Sequence, residues 1–251
     1  MNSYADLARK LSETLRLSLP PIAVCLADAS AEGVPRYDRE PPAAGCVFWQ
    51  KAARGVFATS PRDHRFCSIG MYTHNMELTP QEQADLQDAL AAFAEIGYLP
   101  PDQVTSIPVL QDRAQRVIYA PLAAAPFPPD VVLLFVQPDQ ALILAEASQA
   151  VDKGIAPAMG RPACAVVPMV KNSGHAALSL GCCGARAYVD PLGPAVALWA
   201  LPGPKLAAYV DQIAVFCRAN TTLTRFHQLR RQDVEQGRQP SVKASLRRLQ
   251  Q

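Results

Sequence analysis

The sequence predicts an α/β or α+β fold, in which helices flank a mixed β-sheet. Short apolar runs next to prolines, of which residues 131–136 (VVLLFV) are the clearest, are typical of buried strands. Other segments repeat apolar residues every three or four positions, which is the spacing of one face of a helix. Hydrophobic residues make up 49% of the 251 positions and charged residues 18%, so the chain can bury a substantial core.

The first predicted elements are a helix and a buried strand. Residues 3–17 predict the helix, because Ser3 can cap its first turn and leucines recur at every fourth position. A proline pair then ends the helical pattern, and the apolar run 22–26 predicts a short strand. Cys25 lies within that run and is predicted to be a core residue.

Two cysteines follow, each beside a turn. Cys46 opens an apolar segment that ends at Gly55, which predicts a short helix with the thiol at its first turn. The positive end of a helix dipole at that position favours the thiolate. A short strand is predicted at 57–59, and after it comes a turn-rich loop in which His64 precedes Cys67 by three residues.

The middle of the chain predicts mostly scaffold. Thr79 and Glu82 form a capping box with proline at the first helical position, and the helix that they open continues to about Ile96. The other elements predicted in this region are strands at 104–110, 116–120 and 130–136 and a helix at 139–151.

The stretch 160–188 concentrates side chains that can bind or react. It holds Cys164, Cys182 and Cys183 among small residues, and Gly184 lets the backbone approach a bound group closely. An arginine in this stretch can bind a carboxylate or a phosphate, donate to cluster sulfurs, or pair with an acid. The ionisable residues that it contains are Arg161, His175 and Arg186.

The remaining sequence defines the predicted domain organisation. A strand at 195–201 precedes an amphipathic helix at 206–218, in which Cys217 is expected to pack. Residues 1–236 are predicted to be a single α/β domain and 237–251 a basic flexible tail. A buried strand, a cysteine, a glycine and a second cysteine occur twice in the same order. That echo predicts two pseudo-repeated halves, 1–120 and 121–236, that face each other.

The cysteines are compatible with more than one chemistry. Four thiolates are the usual ligands of an iron–sulfur cluster and also of structural zinc. No C-x-x-C pair of the kind used by zinc ribbons occurs, and widely spaced cysteines suit a cluster that is assembled by a finished fold. Two alternatives are reduced structural cysteines without metal, and a nucleophilic Cys67 paired with His64. Both His64 and His175 also suit surface or hydrogen-bonded roles.

Several other function classes lack support in the sequence. Glycine-rich nucleotide-binding motifs, H-E-x-x-H and G-x-S-x-G do not occur. The net charge of +2 is too small to indicate nucleic-acid binding. The N-terminus lacks the features of a signal peptide, and no apolar stretch is long enough to span a membrane. A cytoplasmic location with reduced thiols is therefore expected.

Longer phrases resemble a known family. They are AGCVFWQKAARGVF and DHRFCSIG in the first half, and GRPACAVVP, SLGCCGARAY and ALWALPGPKL in the second. Over residues 4–226 the chain resembles the domain-of-unknown-function family 169, also called an archaeal conserved region, and the S-x-G-C-x-G-x-R phrase is its most specific part. Cys183 departs from the family's pattern. The resemblance implies that the family's cysteine positions match Cys46, Cys67, Cys164 and Cys182.

Together these observations predict a cytoplasmic iron–sulfur protein that carries out redox or sulfur chemistry on a small molecule. Its cofactor would be a [4Fe–4S] cluster that lies beside Gly184 and Arg186 and is held by Cys46, Cys67, Cys164 and Cys182. Its partner would be a small-molecule substrate or an electron-transfer protein, with neither nucleic acid nor membrane. The alternative hypothesis is a non-catalytic protein that binds a small ligand or regulates, and whose reduced cysteines are structural.

Overall fold

The structure is a computed structural model that describes residues 3–27, 32–190 and 192–249, with the backbone alone of Cys183. Its strands are β1 (Ile22–Ala27), β2 (Phe57–Thr59), β3 (Arg116–Pro121), β4 (Val131–Val136), β5 (Ala158–Met159), β6 (Ala177–Ser179) and β7 (Ala197–Pro202). They form one sheet in the spatial order β2, β3, β1, β4, β7, β6, β5. Neighbouring strands run antiparallel, except that β5 pairs with β6 in parallel.

Helices fill most of the connections between strands. The α-helices are α1 (Tyr4–Leu15), α2 (Val47–Ala52), α3 (Ser68–Thr73), α4 (Pro80–Glu95), α5 (Pro138–Val151), α6 (Val166–Ser173), α7 (Cys183–Tyr188), α8 (Leu206–Glu235) and α9 (Val242–Arg248). Short 3-10 helices lie at Pro61–His64, Pro101–Ser106, Leu122–Ala124, Ala163–Ala165 and Gly203–Lys205. The predicted fold class, a mixed sheet flanked by helices, is confirmed.

The sheet separates two hydrophobic cores. α1, α5 and α8 pack on one face of the sheet, and α2 and α6 pack on the other. β4 is buried along its whole length because both of its faces are covered. Its residues alternate between the cores, so that Leu133 faces α2 and α6 whereas Leu134 faces α1, α5 and α8. The cysteines discussed below lie on the α2 and α6 side.

Local sequence signals explain how several helices begin and end. Ser3 caps α1 by accepting a hydrogen bond from the Asp6 amide. Thr79 and Glu82 form the predicted capping box at the start of α4. Gly174 ends α6 in the left-handed conformation with φ of 68°, which favours glycine because it has no Cβ.

The strand order follows the same pattern on both sides of the central β1–β4 pair. β1 is followed outward by β3 and then β2, and β4 is followed outward by β7 and then β6. In each half one cysteine lies before the helix that precedes β2 or β6, and another lies after that strand. The internal repeat stays a prediction, and this strand order supports it.

Two segments differ from the sequence predictions. Residues 104–110 are not a strand: the 3-10 helix at 101–106 replaces its first part, and Pro108 lacks the amide donor that a ladder needs. Within the predicted flexible tail, residues 242–248 form α9. The buried Asp233 carboxylate near the end of α8 accepts hydrogen bonds from Arg238 and Arg248, which connects the two helices.

Candidate functional site

Four cysteines that are distant in the sequence line one cavity on the α2 and α6 side of the sheet. The volume of the cavity is about 360 Å³. Most of its wall is apolar, and the polar groups in it are few. The four thiols at this cavity belong to Cys46, Cys67, Cys164 and Cys182.

Each of the four cysteines stands where a loop turns into a helix. Cys46 directly precedes α2, and Cys67 directly precedes α3. Cys164 lies in the 3-10 helix that leads into α6, and Cys182 directly precedes α7. Loops bring these helix starts to one side of the sheet. The first half of the chain contributes two of the thiols, and the second half contributes the other two.

The four thiols are close enough to influence one another electrostatically. Negative charge on Cys67 or Cys182 raises the pKa of Cys46, charge on Cys182 raises that of Cys67, and charge on any of the other three raises that of Cys164. Burial has a larger effect: it raises the pKa of Cys46 to about 12 and also raises the pKa values of Cys67 and Cys164. Without a compensating positive charge these three groups are neutral thiols at pH 7.

The surroundings of Cys67 are shaped by two glycines. Burial raises the pKa of Cys67, and the backbones of Gly45 and Gly70 partly offset that effect by favouring its thiolate form. A Cβ at position 70 would lie only 2.8 Å from the Cys67 sulfur, and one at position 45 would lie 2.9 Å from Nδ1 of His64. Only a residue without a side chain therefore fits at either position in this arrangement.

The sulfurs of Cys182 and Cys164 have hydrogen-bond donors beside them. The Ala185 amide donates to Sγ of Cys182 over 3.4 Å. The hydroxyl of Thr73 lies 3.4 Å from Sγ of Cys164 and is placed to donate to it. Donors of this kind stabilise negative charge on sulfur and tune the potential of a metal bound there.

Two buried histidines line the same cavity with unpaired ring nitrogens. Thr59 donates its hydroxyl proton to the Val117 carbonyl and so accepts from Nε2 of His64, which leaves the lone pair on Nδ1. Nδ1 of His74 donates to the Gly70 carbonyl, which leaves the lone pair on Nε2. Neither Nδ1 of His64 nor Nε2 of His74 has a hydrogen-bond partner among the described residues. Both nitrogens are available to a bound molecule or metal.

Burial keeps both imidazoles neutral. It lowers the pKa of His64 to about 3 and the pKa of His74 to about 4. In the described part of the chain no hydrogen bond joins the imidazole of His64 to the Cys67 sulfur, although the Cys67 amide donates to the His64 carbonyl over 2.7 Å. A thiolate–imidazolium pair is disfavoured here, because burial opposes both of the charges that such a pair needs.

Sequence reasoning did not include His74 or Tyr119 in the site. His74 directly follows α3 and lies four residues after Gly70, so the helix that starts at Cys67 also positions this imidazole. Tyr119 comes from the middle of β3, where its alternation with Val117 indicates only a core position. The one available signal in the sequence was that a single short helix separates His74 from Cys67.

The other predicted site residues are divided between the cavity and its surroundings. Gly184 lines the cavity. Arg186 does not belong to the lining; its guanidinium donates to backbone carbonyls of the loop around it, those of Leu180, Leu192, Gly193 and Val196. It therefore shapes the turn that carries Cys182. His175 lies elsewhere, 3.2 Å from the Asp152 carboxylate.

The remaining described cysteines lie away from the cavity. Cys25 is 3% exposed and packs in a small cluster at β1, which confirms its prediction as a core residue. Cys217 packs against the core on the α1, α5 and α8 side. All six cysteines whose side chains are described are free thiols. The side chain of Cys183 lies outside the described part of the structure.

The described residues contain neither a compact single-ion metal site nor a helix that could span a membrane. Within ranges 3–27, 32–190 and 192–249, no three His, Cys, Asp or Glu side chains converge closely enough to hold one metal ion. That result concerns a single ion, whereas each thiolate of an iron–sulfur cluster binds its own iron. Across the same ranges, none of the helices combines the length and the apolar character needed to cross a membrane.

Comparison with known proteins gives the family and nothing closer. Neither the curated proteins nor the solved structures gave a match. A family model does match, over residues 10–212 of the 251. The chain belongs to that family, the domain-of-unknown-function family 169, described as an uncharacterised ArCR, which confirms the resemblance of its sequence phrases.

Proposed function

We propose that the protein binds an iron–sulfur cluster, of the [4Fe–4S] type, through Cys46, Cys67, Cys164 and Cys182. The observation that carries this proposal is their position around one cavity, although up to 136 residues separate them in sequence. Four cysteine thiolates are the ligand set of such clusters. A cytoplasmic location forms part of the proposal, because thiols stay reduced there.

The residues of the cavity fit a cluster in three respects. Backbone groups favour thiolate without adding a competing ligand: the Ala185 amide donates to Cys182, and the backbones of Gly45 and Gly70 lower the pKa of Cys67. Gly70 leaves the space that a Cβ would take from the Cys67 sulfur. The raised pKa values of the thiols are overcome by a bound metal, because coordination deprotonates a thiol outright.

We propose that the same cavity, which the cluster would fill in part, also binds the small-molecule substrate. Its volume of about 360 Å³ falls within the usual range of small-molecule sites. Trp49, Phe93 and Tyr119 line it and exclude water, which strengthens every polar interaction inside. The lone pairs of His64 and His74 would accept hydrogen bonds from a bound substrate. The cluster would supply electron transfer or Lewis-acid chemistry to that molecule.

A second candidate function is supported by the thiols themselves. Burial raises the pKa values of Cys46, Cys67 and Cys164, so without metal these three thiols are uncharged at pH 7 and behave as apolar packing groups. A cavity lined by neutral thiols and aromatic rings suits a mostly apolar small ligand. The alternative is accordingly a non-catalytic binding or regulatory protein.

Anaerobic purification separates the two candidates. We expect a brown protein with a broad absorption band near about 400 nm that bleaches on reduction, together with iron and acid-labile sulfide in equal amounts. A colourless protein that contains neither iron nor sulfide, even after reconstitution with ferrous iron and sulfide under reducing conditions, would leave the ligand-binding function in its place.

A further inference from the structure

A second cavity, whose described lining contains no cysteine, is lined by five arginines. Its volume is about 370 Å³. Among the described residues, only two acidic side chains, those of Glu40 and Asp63, share the lining. The arginines are Arg36, Arg39, Arg62, Arg65 and Arg116.

The two acids do little to neutralise these arginines. Asp63 is occupied within its own turn, where it accepts hydrogen bonds from the Ser60 amide at 2.7 Å and the Ser60 hydroxyl at 2.8 Å. Glu40 pairs with Arg65 at 3.6 Å, but the Glu40 side chain is 95% exposed, so water screens the pair. The other four arginines form no ion pair with any described residue.

The backbone holds several of the arginines in place. Arg36 lies in a bridge with Ala58 of β2, and hydrogen bonds of 2.8 Å join Ala58 to both Pro35 and Tyr37. Arg116 begins β3, which pairs with β2 in the same sheet. Arg62 and Arg65 lie in and just after the 3-10 helix at 61–64. The guanidinium groups therefore project from anchored segments that surround one concave space.

We infer that this arginine cavity binds a small molecule that carries phosphate groups. A phosphate offers three oxygens to forked donors from different directions, whereas one or two guanidinium groups already satisfy a planar carboxylate. The excess of positive over negative side chains calls for a ligand with more than one negative charge. The cavity is larger than a free phosphate needs and lies within the range of small-molecule sites.

This inference does not depend on the proposed cluster, although the two cavities share a wall. Thr59 lines the arginine cavity, and its hydroxyl oxygen lies 3.0 Å from Nε2 of His64, which lines the cysteine cavity. The segment 59–67 thus has arginines on one side and the Cys67 thiol at its end. A phosphorylated ligand would contact the same segment that positions His64.

Calorimetric titration with pyrophosphate tests the inference. The wild-type chain should bind pyrophosphate at one site, and Arg36→Gln combined with Arg62→Gln should weaken binding about tenfold or more, since two charge-assisted contacts are lost. Both arginines are exposed, so the variant should fold normally, which circular dichroism checks. Arg225→Gln, which removes the same charge from the exposed surface of α8, should leave binding unchanged.

Four results would overturn the inference. They are no binding of pyrophosphate at about 10 mM, equal losses in the cavity variant and the Arg225→Gln control, binding of citrate as tight as that of pyrophosphate, and tighter binding of a single-stranded RNA through the same arginines. The third would assign the cavity to carboxylates, and the fourth to nucleic acid.

Discussion

Gly70 shows at the scale of one residue how the candidate site depends on close approach. Its backbone favours the thiolate form of Cys67, and its missing side chain leaves the space next to the Cys67 sulfur. Replacing it with alanine would raise the helix propensity of α3 and at the same time displace a proposed ligand. Folding and metal binding should therefore respond differently to the same change.

We predict that Gly70→Ala lowers the iron content of anaerobically purified protein, while the thermal midpoint of the metal-free variant stays close to that of the metal-free wild type. The reason is that the added Cβ would lie 2.8 Å from the sulfur, so the Cys67 side chain must rotate away. Gly55→Ala is the matched control, because a Cβ at that position meets nothing within 4 Å. Full iron content in Gly70→Ala would show that Cys67 is not held in the way described.

His64 leads to a prediction about pH. Its folded-state pKa is about 3, below the ordinary value of about 6.5 that the unfolded chain has. As pH falls below 6.5 the unfolded state takes up a proton that the folded state does not, so stability is present above that pH and is lost below it. Between pH 7 and 5.5 this histidine should cost about 1 kcal/mol of unfolding free energy.

Urea unfolding at the two pH values measures this effect. The loss of stability between pH 7 and 5.5 should be smaller in His64→Gln by about 1 kcal/mol. His227→Gln, which changes an exposed histidine of α8, should lose as much as the wild type. Equal losses in all three proteins would mean that His64 takes up a proton in the folded state.

At the scale of elements, α8 divides into a packed part and a projecting part. Its buried residues lie between Leu206 and Ile213, and the next one is Asp233, near its end. The last turns are connected to α9 through the Asp233 carboxylate and the guanidinium groups of Arg238 and Arg248. The pKa of Asp233 is lowered first by Arg248 and then by Arg238.

Arg248→Gln should accordingly loosen the end of α8 without affecting the core. We expect faster amide hydrogen exchange over residues 225–236 and an unchanged thermal midpoint, since no buried apolar contact is removed. Arg247→Gln is the matched control, because it removes the same charge from the neighbouring exposed position. If both variants exchange alike, the ion pair does not hold these helices together.

Removal of residues 237–251 should have the same local effect as Arg248→Gln.

Elements with a strong local signal could be predicted from the sequence. α1 and α4 have caps and periodic apolar residues, and β4 is a continuous apolar run beside prolines. The short strands β5 and β6 were not predicted, whereas β2, which is as short as β6, was; the pairing of β5 and β6 is set by distant partners. The position of His74 in the cavity likewise depends on tertiary packing.

The candidate site shows the same division between local and tertiary information. Resemblance to the family selected the four cysteines that the structure brings to one cavity. Arg186 was expected beside a cofactor, yet the structure engages its guanidinium with backbone carbonyls. Its sequence position next to the cysteines could not reveal this, because a guanidinium can donate to whichever acceptors the fold offers.

At the scale of the whole molecule, the site joins the two halves of the chain. Cys46 and Cys67 come from the part that builds β1 to β3, and Cys164 and Cys182 from the part that builds β4 to β7. β1 and β4 pair at the centre of the sheet, so the halves must dock before all four thiols can meet. Metal binding would then stabilise the native fold, because the site exists only in the folded state.

The central claim is that these four cysteines together hold one cluster, and metal analysis of single variants tests it most directly. Iron and acid-labile sulfide per chain are measured after anaerobic purification of the wild type and of Cys46→Ala, Cys67→Ala, Cys164→Ala and Cys182→Ala. We predict about four irons and four sulfides in the wild type, a clear loss in every one of the four variants, and no loss in the Cys25→Ala control. A wild type without iron and sulfide, or full content in any of the four variants, would contradict the claim.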